Sequence, residues 1–206
     1  MPATPNNSNA QANTPNMTDA TMDAQKYKPD DPTISPPVLE MITVANEYCL
    51  FFEKAGNYKA EDIFSYYQKI APLLYLKGAL LPPVKVSDDA VAECFVTEEQ
   101  WETVFRSLRE QFKSLDVYYV LDHHNDTAEA SLSENMADIY QDLKDFIMLY
   151  QKNVTPARES AIAHLRTLYQ TRWGPALITS LQMVHHILYK DAIDPAVFDS
   201  DDEWLV

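Results

Sequence analysis

The sequence predicts an all-α protein: a single-domain antiparallel bundle of six to seven helices. Three observations predict it. Every strongly patterned segment repeats its apolar residues at three- and four-residue steps, the period of a helix with one buried face. The chain of 206 residues has 3 glycines, and most of its 13 prolines fall in the first residues or at segment boundaries, so little interrupts those segments. The connections between most of them are short, as antiparallel packing requires. The predicted domain spans 34–190. It lies between an N-terminal tail, 1–33, and an acidic C-terminal tail, 191–206.

Residues 1–33 are rich in Asn, Thr, Ala, Gln and Pro and hold few large apolar groups. Such a segment buries too little to offset its ordering entropy and is expected to be disordered. Ser35 to Gly56 follows as a helix, with prolines at its start and glycine past its end. Val38, Met41, Ile42, Ala45, Cys49 and Phe52 form its core face. Glu47 lies between Val44 and Phe51 on a flanking stripe, where a half-buried carboxylate needs a partner. Lys59 to Leu81 is helical again, and Pro72 is expected to divide it into 60–71 and 72–80. Residues 84–96 read as a connection. Thr97-Glu98-Glu99-Gln100 is a capping box that opens a helix to about Lys113. Residues 114–130, with the pair His123-His124, read as an unusually long loop.

Ser131 to Asn153 is the clearest helix. Leu132, Met136, Ile139, Leu143, Phe146, Ile147 and Tyr150 share one face, Ser131 or Ser133 can cap the start, and Glu134 suits the positive end of the dipole. A second stripe, Asn135, Asp138, Asp142 and Asp145, runs along the edge of that face. Carboxylates there are partly desolvated and call for a cation or donors. Thr155 and Pro156 then restart the chain into a last helical run, 157–190, expected to break at Trp173-Gly174-Pro175. Its first half is expected to bury Ile162, Leu165 and Tyr169, and its second half Leu177, Ile178, Leu181, Val184 and Leu188. Arg166 shares a stripe with Ile162, Tyr169 and Trp173, and Glu47 and the Asp138/Asp142 edge are expected to face this run and contact Arg166 or Arg172. His185 falls on the apolar side and His186 toward water.

The formal net charge of −15 argues against sequence-independent nucleic-acid binding and against docking on an anionic membrane. No apolar run is long enough to span a bilayer, and no secretory signal opens the chain. Two cysteines, Cys49 and Cys94, suit a reducing compartment, so the expected location is cytoplasmic.

Several phrases together resemble a bacterial family of all-helical domains of unknown function: VANEYC at 44–49, APLLYLK at 71–77, ENMADIYQDLKDF at 134–146 and RWG at 172–174. The resemblance covers most of residues 38–190. It implies an all-helical cytoplasmic bacterial protein and supplies no activity, ligand or catalytic residue. The histidine-rich 122–126 stretch and the Asn/Thr-rich start depart from it.

The expected site is a groove bordered by Asp138, Asp142, Asp145, Glu47 and the Trp173 break, with Tyr140 as an aromatic wall and Arg166 at the rim. The helix restarting at Gly174-Pro175 would offer free N–H groups there. The competing expectation is that Trp173 plugs the core and the aspartates make structural salt bridges. Asp138, Asp142 and Asp145 are also the secondary candidates for Mg²⁺, which takes one or two carboxylates alongside a phosphate. No Glu-x-x-His pair, zinc spacing, phosphate loop or nucleophile elbow occurs. The leading functional expectation is a non-catalytic binding or regulatory module for an unidentified protein or small-molecule partner. The alternative is a divalent-metal enzyme acting on a phosphorylated small molecule.

Overall fold

The computed structural model describes residues 1, 31–87, 94–121 and 126–190. Residues 2–30, the His123-His124 pair and the tail 191–206 lie outside the described residues. Residues 31–33, expected in the tail, belong to the fold. Asp31 caps a 3-10 turn at Pro32–Ile34, Thr33 is buried, and its carbonyl accepts a hydrogen bond from Tyr150 Oη at 2.7 Å.

Six helices build the domain: α1 (Pro36–Phe52), α2 (Ala60–Ala79), α3 (Glu98–Phe112), α4 (Leu132–Tyr150), α5 (Thr155–Leu168) and α6 (Gly174–Tyr189). The expected break between the last two is instead a π-helical turn, Tyr169–Trp173, so residues 155–189 form one helical run. Proline at 175 cannot donate to the preceding turn, and a wider turn accommodates its ring. Gly174 is required there, since a Cβ would stand 2.1 Å from the Tyr169 carbonyl oxygen.

Where a loop was expected over 114–130, an antiparallel hairpin forms from β1 (Val117–Leu121) and β2 (Thr127–Ser131), with Tyr119 opposite Glu129. Strand β1 alternates, with Tyr118 buried and Val117, Tyr119 and Leu121 exposed. The Tyr118 hydroxyl accepts from Asn135 Nδ2 of α4 at 2.6 Å and donates to Thr179 Oγ1 of α6 at 3.3 Å, fixing the strand to both helices.

Helix α4 is the centre and packs against α1, α3, α5 and α6. Its start is the predicted Ser131 cap, strengthened by Asp116. That buried carboxylate accepts from Ser133 N at 2.7 Å and Ser131 Oγ at 2.9 Å, placing negative charge at the positive end of the helix. The predicted capping box at Thr97 and Gln100 forms in both directions. Helices α1 and α2 run antiparallel, closed by Lys77 to Glu40 at 2.7 Å. Helices α1 and α4 run in the same direction, with Tyr48 Oη donating to Met136 O and Lys144 reaching Glu53 further along.

Pro72 does not break α2, which is continuous from Ala60 to Ala79. The proline lies on the exposed side of the helix. The missing N–H leaves the Gln68 carbonyl without its ladder donor at a place where solvent reaches it. At the far end of α2, Gly78 receives the Trp173 ring: a Cβ there would lie 2.4 Å from Trp173 Cη2 and 2.6 Å from Tyr169 Cδ2. In an open helix Gly→Ala gains up to about 1 kcal/mol. Gly78→Ala is expected to lose stability instead, by about 1–3 kcal/mol, because it overpacks a closed contact. Chemical denaturation would show this as a lower midpoint at unchanged slope.

Candidate functional site

The three aspartates of α4 all meet protein partners, and Asp138 and Asp142 share one, Arg172. Asp145 Oδ1 accepts from the backbone N–H groups of Phe95 and Val96 at 2.7 and 2.8 Å. Asp138 Oδ1 accepts from Trp101 Nε1 of α3 at 2.9 Å, and its Oδ2 lies 3.5 Å from Arg172. Asp142 Oδ1 lies 3.2 Å from Arg172 Nη1. The stripe therefore ties the 95–96 segment, α3 and the π turn to the central helix. Among the described residues no three His, Cys, Asp or Glu side chains come together to hold a metal ion.

The other members of the expected groove are elsewhere. Glu47, expected half-buried, is exposed and has no ion pair among the described residues. It sits on the side of α1 turned from α4, and its charge falls on the Tyr66 hydroxyl of α2. Tyr140 faces α1 and donates to Glu53 at 3.3 Å. Trp173 is fully buried, its indole N–H donating to Leu165 O at 3.2 Å. Of the two arginines near the stripe, Arg172 reaches the carboxylates. Arg166 has no carboxylate partner among the described residues. The helical run passes Trp173 without a break, so no free helix start lies there. Trp173 as a core plug and the aspartates as structural partners describe the arrangement.

Asp142 keeps one unusual property. It is 4% exposed, and its Oδ2 has no hydrogen-bond partner. A cavity of about 20 Å³ lies beside it, lined also by Cys94, Asp145, His164 and Leu165, and this is room for one water. Burial raises its carboxyl to about 7, outweighing Arg172, and the charges of Asp138 and Asp145 add to the rise.

The larger open surfaces flank α6. One groove, about 570 Å³, lies between α2 and α6, with Ala71, Pro72, Tyr75, Leu177, Ile178 and Leu181 as apolar walls and Gln68, Gln182 and His185 as polar groups. Tyr189 Oη donates to Gln68 Oε1 at 3.0 Å and closes the polar end. The groove opens onto a helix face with no solvent-adapted side. From Pro72 to Leu80 the exposed residues are Pro72, Leu73, Tyr75, Leu76 and Ala79 of α2 and Leu80 at its C-cap. Leu76 is 52% exposed and Ile178 of α6 is 51% exposed. A second groove, about 600 Å³, lies on the other side of α6, against β1.

Of the residues that periodicity placed on the apolar side of α6, Leu177 and Val184 are buried and Leu181 and Leu188 half-buried, but Ile178 and His185 are exposed. Ser180 joins Leu177 and Val184 on the core side, with its Oγ 2.6 Å from Tyr67 Oη. The available signal was residue size: Gly78, Gly174 and Ser180 mark the faces where helices approach closely.

Residues 33–190 match the family model described as "Domain of unknown function (DUF5063)". The fold is similar to the crystal structure of protein BF1032 from Bacteroides fragilis, at 31% sequence identity and a TM-score of 0.70, covering 77% of this chain and 96% of that one. A comparison with curated proteins gives no match.

The buried Asp142 carboxyl sets a pH dependence. Its folded pKa lies above the ordinary carboxylate value near 3.9, so the folded state holds the proton more tightly than the unfolded chain. Its contribution to stability is therefore largest below about pH 4, declines as pH rises to about 7, and is constant above that. Asp142→Asn is expected to remove that decline, on the order of 4 kcal/mol, when denaturation curves of the two proteins are compared from pH 4 to 8. Parallel pH profiles would show that Asp142 ionises as an ordinary carboxylate.

Proposed function

The chain belongs to the DUF5063 family of domains of unknown function, and from that premise we propose that it is a cytoplasmic, non-catalytic binding module that receives an amphipathic helix of a protein partner. The observation that carries this reading is the second half of α2, whose exposed side is entirely apolar and opens onto the 570 Å³ groove against α6. A helix apolar on all sides is ordinarily buried, and contiguous apolar surface on a soluble protein marks an interaction site.

Two parallel walls with a trough between them suit a helix that presents apolar residues at three- and four-residue steps. Ala71, Pro72 and Tyr75 supply one wall and Leu177, Ile178 and Leu181 the other. Gln68, Gln182 and His185 at one end give the partner's polar groups something to register against. The Gln68 carbonyl, freed by Pro72, adds a backbone acceptor at the same place. The chain's formal charge of −15 favours a partner helix whose polar face is basic. Both described cysteines, Cys49 and Cys94, are unpaired thiols, which supports a reducing compartment. Among the described residues no helix is long and apolar enough to cross a membrane.

Site-specific photocrosslinking in cells tests this. A photoreactive phenylalanine at Tyr75 or at Ile178 is expected to capture the same partner, through a peptide whose sequence carries helical amphipathic spacing. The same probe at Glu102, on the exposed side of α3, is expected not to. Tyr75→Asp should abolish capture from position 178 while the domain stays folded by circular dichroism. Capture that is independent of position, or that survives Tyr75→Asp in the folded variant, would place the interaction elsewhere.

A further inference from the structure

The groove on the other side of α6 has a different construction, and from it we infer a second docking site, one that takes an extended peptide from a protein partner as an additional strand on β1. Four consecutive residues, Tyr118, Tyr119, Val120 and Leu121, line this groove. Successive residues of a strand point to opposite faces, so a wall made of consecutive residues is the strand's edge. That edge is open. The sheet order is β1-β2, and among the described residues Val117–Leu121 make no backbone–backbone hydrogen bond apart from those with β2. Alternate residues of β1 therefore turn their N–H and C=O groups into the groove without a partner strand.

The opposite wall is a single face of α6. Thr179, Gln182, Met183 and His186 follow one another at helical spacing and stand across from the strand edge. The space between, about 600 Å³, separates a row of backbone donors and acceptors from a row of side chains. An added strand satisfies the first by main-chain hydrogen bonding and offers every second side chain to the second.

The lining also states the chemistry of the occupant. Among the described residues its lining has no carboxylate and no Lys or Arg. Its ionisable groups besides tyrosine are His185 and His186, both toward the C-terminal end of α6. The complementary peptide is uncharged and apolar at its inward positions and carries an acidic group at the end beside the imidazoles. On the solvent face, Tyr119 and Leu121 are 67% and 70% exposed, leaving apolar neighbours for the outward side chains of an added strand. A two-stranded hairpin is marginal alone, and a third strand extends its ladder. This site does not depend on the α2–α6 groove, although Gln182 and His185 border both.

A random-peptide phage library selected on the full chain supplies the probe. Selected peptides are then titrated against wild type, Met183→Lys, Tyr119→Pro and Ile178→Asp. Peptides with alternating apolar residues are expected to be enriched. Their affinity should fall at least roughly ten-fold with Met183→Lys and with Tyr119→Pro, which removes an edge N–H, and should be unchanged with Ile178→Asp. Amide exchange at Tyr118–Leu121 should slow on binding to wild type. Met183→Lys leaves the strand intact, so the result does not rest on whether the proline variant folds. Failure to select any peptide overturns the inference, as does unaltered binding to Met183→Lys or absence of protection along β1. Loss of binding in Ile178→Asp, alone or with the others, assigns the peptides to the α2–α6 groove and overturns it as well.

Discussion

Carboxylates fixed at the edge of a buried helix must find donors, and this requirement determines what surrounds α4. Asp138, Asp142 and Asp145 occupy one stripe of the central helix, and water cannot fully solvate them there. Asp145 takes two backbone N–H groups and so holds the entry to α3. Asp138 takes the Trp101 indole of the same helix. Asp142, with Asp138, takes Arg172 from the π turn. Each bond fixes a different part of the chain relative to one element. Asp116 does the same at the helix start, where its carboxylate joins the hairpin's final strand to the first turn of α4. The apolar residues of α4 provide the burial, and the polar edge decides which neighbours supply it.

How much of this was legible in the sequence depended on the kind of signal. The start of α4 at Ser131 and of α3 at Thr97 follow from local hydrogen-bonding chemistry, which the chain carries within four residues. The hairpin was not legible. VYYVL has strand character, but its partner TAEAS has almost none, and the pair is held by Tyr118 reaching α4 and α6, which no local pattern shows. Pro72 misled because its penalty depends on which side of the helix it occupies. The aspartate stripe was read correctly as an edge in need of partners, and Arg172 was among the partners expected. Glu47 and Tyr140 could not be placed on the right sides without knowing that α1 and α4 lie side by side. The grooves were illegible for a simpler reason: apart from Lys77 and Gly78, residues 71–81 are apolar or aromatic all round, so periodicity has little contrast with which to choose the buried face.

The polar and the apolar surfaces of α4 and α6 consequently have separate roles. The polar edge of α4 is consumed by the fold, with Asp142 left one donor short among the described residues, beside a water-sized cavity. The apolar surplus lies on α2, α6 and β1, where none of the described residues covers it. Helix α6 is common to both grooves, since Gln182 and His185 border each, and a partner bound on one side of it would touch residues that also face the other.

The π turn gives this arrangement an exact dependence on chain length. A turn of that kind holds one residue more than an α-helical turn, and one residue corresponds to about 100° of rotation around the axis. Everything after Trp173 is therefore set a quarter-turn or so from where an uninterrupted α5 would have carried it. A chain with a single residue deleted between 169 and 173 could still form every helix. Its α6 would then present a different stripe to α2, with Ser180 no longer directed at Tyr67. The orientation of both grooves is thus carried by a residue count, and shortening the turn by one would alter them even if no lining side chain changed.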